Sequence, residues 1–355
     1  MFSHSVILLF LFTSFFLPKI QTKDTQCPIA PSVPEDRRTQ KPSLRLVQYN
    51  AEFLFVDQYS GFNCPGTQCP WANQSEAEIH LQYVSKVIQT LQPDILNVCE
   101  VEGCDELQML IDQMQDSSYR PYLVQGKDTG TGQNVGMLTR IDPIANLTRS
   151  EERVSYPFPD SQCGATISPT TTDVSKHFIT QFSIPLTSSP NTILQIAFIS
   201  AHLIAIPTDP TRCSQREAQA QILQHVIQQY ISLGWEVIMI GDYNDYDAEI
   251  LDVNSNHPTS MVLDILKGYR GEYAGFYELH SVGQKINQTE RYSDWWDSDG
   301  NCSTESPQDY SMIDHVLVSE ALVGKISQVF VYHGYPEYCG TYNSDHYPVV
   351  VDFIL

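Results

Sequence analysis

The chain has 355 residues, 42% of them hydrophobic and 11% aromatic, which is enough apolar side chain to bury one large core. Its formal net charge is -22, with only 20 lysines and arginines. That balance excludes a non-specific nucleic-acid coat, which needs basic residues to displace the counterions of a polyanion. It leaves open an enzyme whose bound metal supplies positive charge locally.

Val6 to Leu17 form an apolar run that predicts a secretory signal peptide over residues 1–22. The run falls short of the ~20 residues a spanning helix needs, so an uncleaved anchor is only the alternative. Residues 23–42 are Pro-rich and polar and read as a linker, leaving residues 43–355 as the folded domain. Nine cysteines fit an oxidising compartment. Cys64 and Cys69 bracket a short turn and are expected to pair, as are Cys302 and Cys339. Cys99 sits in an apolar strand and is expected to stay free. Sequons at Asn73, Asn146, Asn287 and Asn301 suit a glycosylated, secreted product.

Leu44–Tyr49 reads as a strand. A capping box of Ser75 and Glu78 then opens a helix over Ser75–Leu91, which Pro93 ends. Ile95–Cys99 is a buried strand, Cys104–Met114 a helix, and strands follow at Tyr122–Val124, Val135–Thr139, His177–Ile184 and Ile193–Ser200. Gln215–Tyr230 is a long helix and Val237–Ile240 an apolar strand. Residues 270–310 are rich in Gly, Asp, Ser and Tyr and read as an insertion, before closing strands at Met312–Val318, Val329–Tyr332 and Val349–Phe353. Helices mixed with closely spaced strands predict α/β layers built on mixed sheets.

One pattern recurs: where an apolar strand runs out, an acid, amide or histidine follows. Asn50 follows LRLVQY, Glu100 follows ILNVC, His202 follows IAFISA, and Asp242 and Asn244 follow VIMIG. Asp314 lies in SMIDHVLV, and Asp345 and His346 precede YPVVVDFIL. A lone Asp or His after a strand is usually a cap or a solvated end. Repeated through one chain, such residues can converge beyond the strand ends of an α/β sheet, where ligands bind. Carboxylates and amides are hard ligands suited to Mg²⁺, Mn²⁺ or Ca²⁺, and histidines move protons near neutral pH. No HExxH, P-loop or GxSxG motif is present, which argues against a zinc protease, a nucleoside triphosphatase or a serine esterase. Hydrolysis of a phosphate ester by activated water fits the set. A glycosidase would leave the histidines unexplained. A non-catalytic binding protein would be expected to have lost part of the set.

At these residues the chain resembles the endonuclease/exonuclease/phosphatase superfamily, which includes pancreatic-type deoxyribonuclease, exonuclease III and neutral sphingomyelinases. VQYNAEFLF (47–55), PDILNVCEVE (93–102), NVGMLTR (134–140), FISAHLIA (198–205), IGDYNDYD (240–247), MIDHVLVS (312–319) and NSDHYPVVVDF (343–353) match its motifs in family order. The resemblance implies a deoxyribonuclease I-like, four-layer sandwich of two mixed β-sheets flanked by helices. It implies Glu100 as principal metal ligand, with Asn50 and Asp345 assisting, for Mg²⁺ or alternatively Mn²⁺ or Ca²⁺. His346 would be the base that activates water, oriented by Asp314. His202, Asp242 and Asn244 would contact the scissile phosphate, with His202 a candidate proton donor. The alternative is that Asp242 activates the water. The implied substrate is a phosphodiester, DNA or RNA first, with a phospholipid or sugar phosphate as the alternative. Trp295 and Trp296 are expected to pack against the sheet rather than stack on a ligand. Arg149, Arg153 and Arg291 are expected on the surface rather than on phosphates.

Overall fold

The structure, a computed structural model, describes residues 26–355 except 165–166, 187–188, 298, 303–306, 337–338 and 340; the expected signal segment lies outside the described residues. In chain order the elements are strand β1 (Ser43–Leu54), helix α1 (Gln74–Leu91), β2 (Ile95–Val101), α2 (Cys104–Met114), β3 (Arg120–Leu123) and β4 (Asn134–Thr139). Next come the short strands β5 (Val154–Tyr156) and β6 (Thr170–Thr172), the long strands β7 (Lys176–Leu186) and β8 (Ser189–His202), then α3 (Pro210–Ser232), β9 (Glu236–Asp242) and α4 (Val262–Lys267). The chain continues through β10 (Leu279–Ser281), β11 (Asp294–Trp295), β12 (Tyr310–Ser311), β13 (Asp314–Ser319), the single turn α5 (Glu320–Val323), β14 (Ile326–Val331) and β15 (Val349–Ile354).

The long strands build two mixed sheets, one ordered β14-β15-β1-β2-β4-β3 and the other β10-β13-β9-β8-β7. The period of two along each strand decides how the sheets pack. Leu44 and Leu46 of β1, Ile95 of β2, Phe198 of β8, Ile238 and Ile240 of β9 and Val316 of β13 share one buried cluster between the sheets. The alternate residues Val47 and Leu96 turn the other way, against Leu81 and Val84 of α1 and Leu107 of α2. Ala197, Val237 and Met239 likewise turn outward onto Ile222 of α3 and Val262 of α4. The result is helices, sheet, sheet, helices, the expected four-layer sandwich. Burying each such aliphatic or aromatic side chain contributes about 1.5–3 kcal/mol.

Some local expectations shift. The cap of α1 is Asn73, whose side chain accepts from the Glu76 amide while Glu76 reaches back to the Ala72 amide, so the box lies two residues before Ser75 and Glu78. Helix α3 starts five residues before Gln215, with Asp209 as cap and Pro210 in the first turn, where a missing N–H does no harm. The segment read as an insertion carries β10 and β11. Residues before β1 are tied to α2 by Cys27–Cys104 and by the Arg37–Asp142 pair at 2.6 Å. Cys64–Cys69 and Cys302–Cys339 pair as expected, Cys163 pairs with Cys213, and Cys99 is free and buried. Among the described residues no helix is long and apolar enough to cross a membrane.

Candidate active site

The inward face of each central strand is apolar along its length and turns polar at one end. On β8, β9 and β13 the register aligns His202 with Asp242 and Asp242 with Asp314, so the three side chains stand in a row at the rim of one sheet. On the facing sheet, Gln48 and Asn50 continue the inward series begun by Leu44 and Leu46. Glu100 needs a special device, because alternation from Ile95 and Cys99 would aim it toward the helices. The chain there takes a left-handed φ of 63°, and the pairing slips by a residue between Cys99 and Val101. This bulge turns the carboxylate into the site. A second irregularity follows Asn50, with Glu52 and Phe53 at φ 45° and 47°.

The side chains meet. Asn50 Nδ2 donates to Glu100 Oε1 at 3.2 Å and to Asp242 Oδ2 at 3.0 Å. His202 Nε2 lies 3.9 Å from Glu100 Oε1 and 3.6 Å from Asp242 Oδ2, and His346 Nε2 lies 3.9 Å from the same Asp242 oxygen. His346 Nδ1 donates to Asp314 Oδ2 at 2.7 Å. Asp314 also accepts from Gln48 Nε2 and Ser293 Oγ, each at 2.9 Å. Asp345 Oδ1 is 3.9 Å from His346 Nε2, and its amide donates to Glu52 Oε2 at 3.1 Å. Asn244, at φ 50°, donates its amide to Asp242 Oδ1 at 2.9 Å and points Nδ2 at the Leu203 carbonyl. Every residue singled out from the sequence thus belongs to one cluster.

Three members escape a reading of the sequence. Glu52 lies inside the first motif but was hidden by its strand-like surroundings. Asp294, in the segment read as an insertion, reaches within 3.6 Å of His346 Nε2 through a β-bridge between the two residues. Lys176, the register partner of His202, places Nζ 3.4 Å from His202 Nε2 and donates to Gln133 Oε1 at 3.0 Å. Asn50 corrects one expectation: its Oδ1 accepts from the Glu52 amide at 3.1 Å, so in this structure it orients Glu100 instead of offering an oxygen ligand. Arg149 and Arg291 spend their guanidinium groups on backbone carbonyls of Val174, Ser175, Leu251 and Ile286, while Arg153 is exposed. Trp295 is buried as expected, but Trp296 is 68% exposed.

The electrostatics of the cluster ask for a cation. Among the described residues no lysine or arginine forms an ion pair with Glu52, Glu100, Asp242, Asp294 or Asp345; the nearby charges are histidines. Burial and the charges of Asp345 and Glu100 push Glu52 well above the usual carboxylate range. Burial, Asp294 and Glu100 raise Asp345 to about 7 against the pull of His346, and burial and Asp314 raise Asp242 to about 8. Buried carboxylates without counterions are costly, and a hard divalent ion among Glu100, Glu52 and Asp345 relieves that cost. Burial disfavours imidazolium at His346, but Asp314, Asp345 and Asp294 outweigh it and hold that group well above ordinary histidine. Burial, Lys176 and His346 together keep His202 neutral.

The second half of the site is braced from outside. Arg216 of α3, fully buried, pairs with Asp245 at 3.0 Å and donates to the carbonyls of Ile206 and Pro207. It thereby ties together the loops that follow His202 and Asn244. Gly241 lets β8 approach closely, since a Cβ there would sit 1.8 Å from the Ala201 oxygen.

No curated protein sequence matches the chain. Its fold is similar to an AP endonuclease from Archaeoglobus fulgidus at TM-score 0.53 and 14% identity, covering 88% of this chain and all of the other. Truncated TDP2 from Caenorhabditis elegans aligns at TM-score 0.49 and 16% identity over 88% of this chain and 98% of that one. The human Nocturnin catalytic domain aligns at 0.48 and 16%, over 90% and 96%. The family model "Endonuclease/Exonuclease/phosphatase family" matches residues 47–346, nearly the whole span from the first site strand to His346, and the chain belongs to that family.

Proposed function

We propose that the chain is a secreted, divalent-metal-dependent phosphodiesterase. The observation that carries the reading is the buried set of carboxylates without lysine or arginine counterions, set beside a His–Asp pair at 2.7 Å. Glu100, Glu52 and Asp345 would hold the ion, which supplies charge neutralisation at the phosphoryl oxygens, an effect worth several kcal/mol. Asp314 keeps the His346 proton on Nδ1, leaving Nε2 to take a proton from the attacking water. The water oxygen bonds to phosphorus, the bond to the leaving oxygen breaks, and that oxygen takes up a proton on the side of His202 and Asp242. His202, held neutral, serves there as a hydrogen-bond partner, and Lys176 adds a positive charge beside it. Secretion is supported by the four disulfides and the apolar start of the chain. A nucleic-acid substrate would have to be held through the ion, because Arg149 and Arg291 are already committed to carbonyls.

Purified protein with Mn²⁺ or Mg²⁺ is expected to hydrolyse bis-p-nitrophenyl phosphate, with plasmid DNA tested in parallel. Chelator should abolish turnover, and Glu100→Gln should raise the metal concentration required. Undiminished hydrolysis in chelator would remove the metal from the mechanism.

A further inference from the structure

A cavity of about 420 Å³ opens beside the carboxylate cluster, sharing Glu52 and Asp345 with it. Its composition is unusual for a phosphate enzyme. Lysine and arginine are missing from its lining, which instead combines Trp71, Trp296 and Tyr342 with Glu76 and Asp297. The walls are held firmly. Trp71 donates its indole N–H to the Phe53 carbonyl at 3.1 Å, and its ring lies 6.1 Å from that of Tyr342. His80 bridges the Tyr342 and Ala51 carbonyls at 2.9 and 2.7 Å, joining this wall to the end of β1. The two rim acids are fixed as well. Glu76 is bonded to the Ala72 amide, and Asp297 accepts from the Asn301 and Cys302 amides. Across the opening stands Trp296, whose indole is largely exposed although its backbone amide is bonded to Asp309.

Exposed tryptophan over an acidic floor suits one kind of guest. A second phosphate would meet only negative charge, and a neutral alcohol would gain nothing from the acids. A quaternary ammonium gains from both, since it is attracted by indole faces and by carboxylates and is poorly hydrated. We propose that this pocket binds a quaternary ammonium group carried by the substrate's phosphodiester, on the alcohol that stays bonded to phosphorus. The placement on that alcohol follows from the lining, which includes Asp345 next to His346 and neither His202 nor Lys176. The inference rests on the phosphodiesterase reading for its chemistry, but the pocket can be tested without turnover.

The test compares p-nitrophenyl phosphorylcholine with its neutral carbon isostere, the 3,3-dimethylbutyl p-nitrophenyl phosphodiester, under saturating Mn²⁺. The choline ester is expected to lead in kcat/KM by about tenfold, with Trp296→Ala and Asp297→Asn each reducing that ratio. Equal rates for the two esters, or a ratio unmoved in both variants, would overturn the proposal. So would a thymidine p-nitrophenyl phosphodiester that leads both and loses its lead in Trp296→Ala, because the pocket would then be stacking a base. Soluble glycerophosphocholine and vesicles of a choline-headed lipid, run side by side, distinguish the two natural sources of such a group. Titration with tetramethylammonium, followed by tryptophan fluorescence, separates the two readings. Saturable quenching that Trp296→Ala abolishes supports the pocket even if no ester is cleaved. Absence of quenching in a protein that does cleave bis-p-nitrophenyl phosphate rejects the pocket alone.

Discussion

Asp314→Asn is the sharpest probe of the site. Asp314 has no solvent exposure and receives three donors: His346 Nδ1 and Ser293 Oγ on Oδ2, and Gln48 Nε2 on Oδ1. An amide has one oxygen, so its NH₂ must face one of these sets. Turned toward Oδ1, it meets Gln48, which could flip only by breaking its own acceptance from Asn97 Nδ2 at 2.5 Å. Turned toward Oδ2, it meets His346, which must then accept at Nδ1 and carry its proton on Nε2, the atom that should receive the water's proton. Ser293 can rotate its hydroxyl, so the second arrangement is the cheaper one, and it removes the base. Turnover of bis-p-nitrophenyl phosphate should fall by about 10²–10⁴, which is about 2.7–5.4 kcal/mol in the barrier. The Mn²⁺ concentration for half-saturation should move little, because Asp314 lies away from Glu100, Glu52 and Asp345. Turnover indistinguishable from the parent protein, in a variant with unchanged thermal stability, would refute the assignment of Asp314 as the residue that orients His346.

Other outcomes follow from the same geometry. Gly241→Ala should destabilise the fold by about 3 kcal/mol or more in urea, because the new Cβ must displace the Ala201 backbone; a change near zero would mean that the strands separate freely there. Arg216→Met leaves Asp245 buried without its partner and should cost about 3–5 kcal/mol, while Arg216→Met combined with Asp245→Leu should recover part of it. Equal unfolding midpoints for the single and double variants would contradict that coupling. The pH dependence has a definite sign. Asp345 and Asp242 titrate near 7 and 8 in the folded chain and near ~4 when unfolded, so without metal the native state binds more protons in between. Their contribution to stability is therefore complete below ~4 and lost as pH rises through 7 and 8. Metal binding must release protons, so the rise in melting temperature on adding Mn²⁺ should be larger at high pH than in acid; a metal effect independent of pH would count against these groups as its site.

Much of this was readable from the chain, for a physical reason. A strand buried on both faces is apolar until its end, so Asn50, His202, Asp242 and Asp314 stand out as the points where burial stops demanding apolar atoms. The layered fold was legible on the same ground, because inward and outward residues on β1, β8 and β9 are both apolar. What failed were features set by long-range geometry. The bulge at Glu100 leaves no mark in ILNVCEVE, yet it decides which way the carboxylate faces. Asp294 looked like one acid among several in a polar segment, and only its bridge to His346 gives it a place. Lys176 sits at the start of an ordinary strand, and its importance comes from lying opposite His202. The cap of α1 was misplaced because Asn73 and Ser75 are both good caps and each has a glutamate three residues on.

The bulge in β2 has a consequence for how the chain can change. Residues before and after Glu100 are in different registers with β4, so removing one residue at that point would restore an uninterrupted ladder between β2 and β4 and relieve a left-handed backbone. The shortened chain would keep its hydrophobic interior and could prove harder to unfold, while its principal acid was lost or swung to the wrong face of the sheet. A single-codon deletion there is thus a route by which a descendant of this protein could trade hydrolysis for durability.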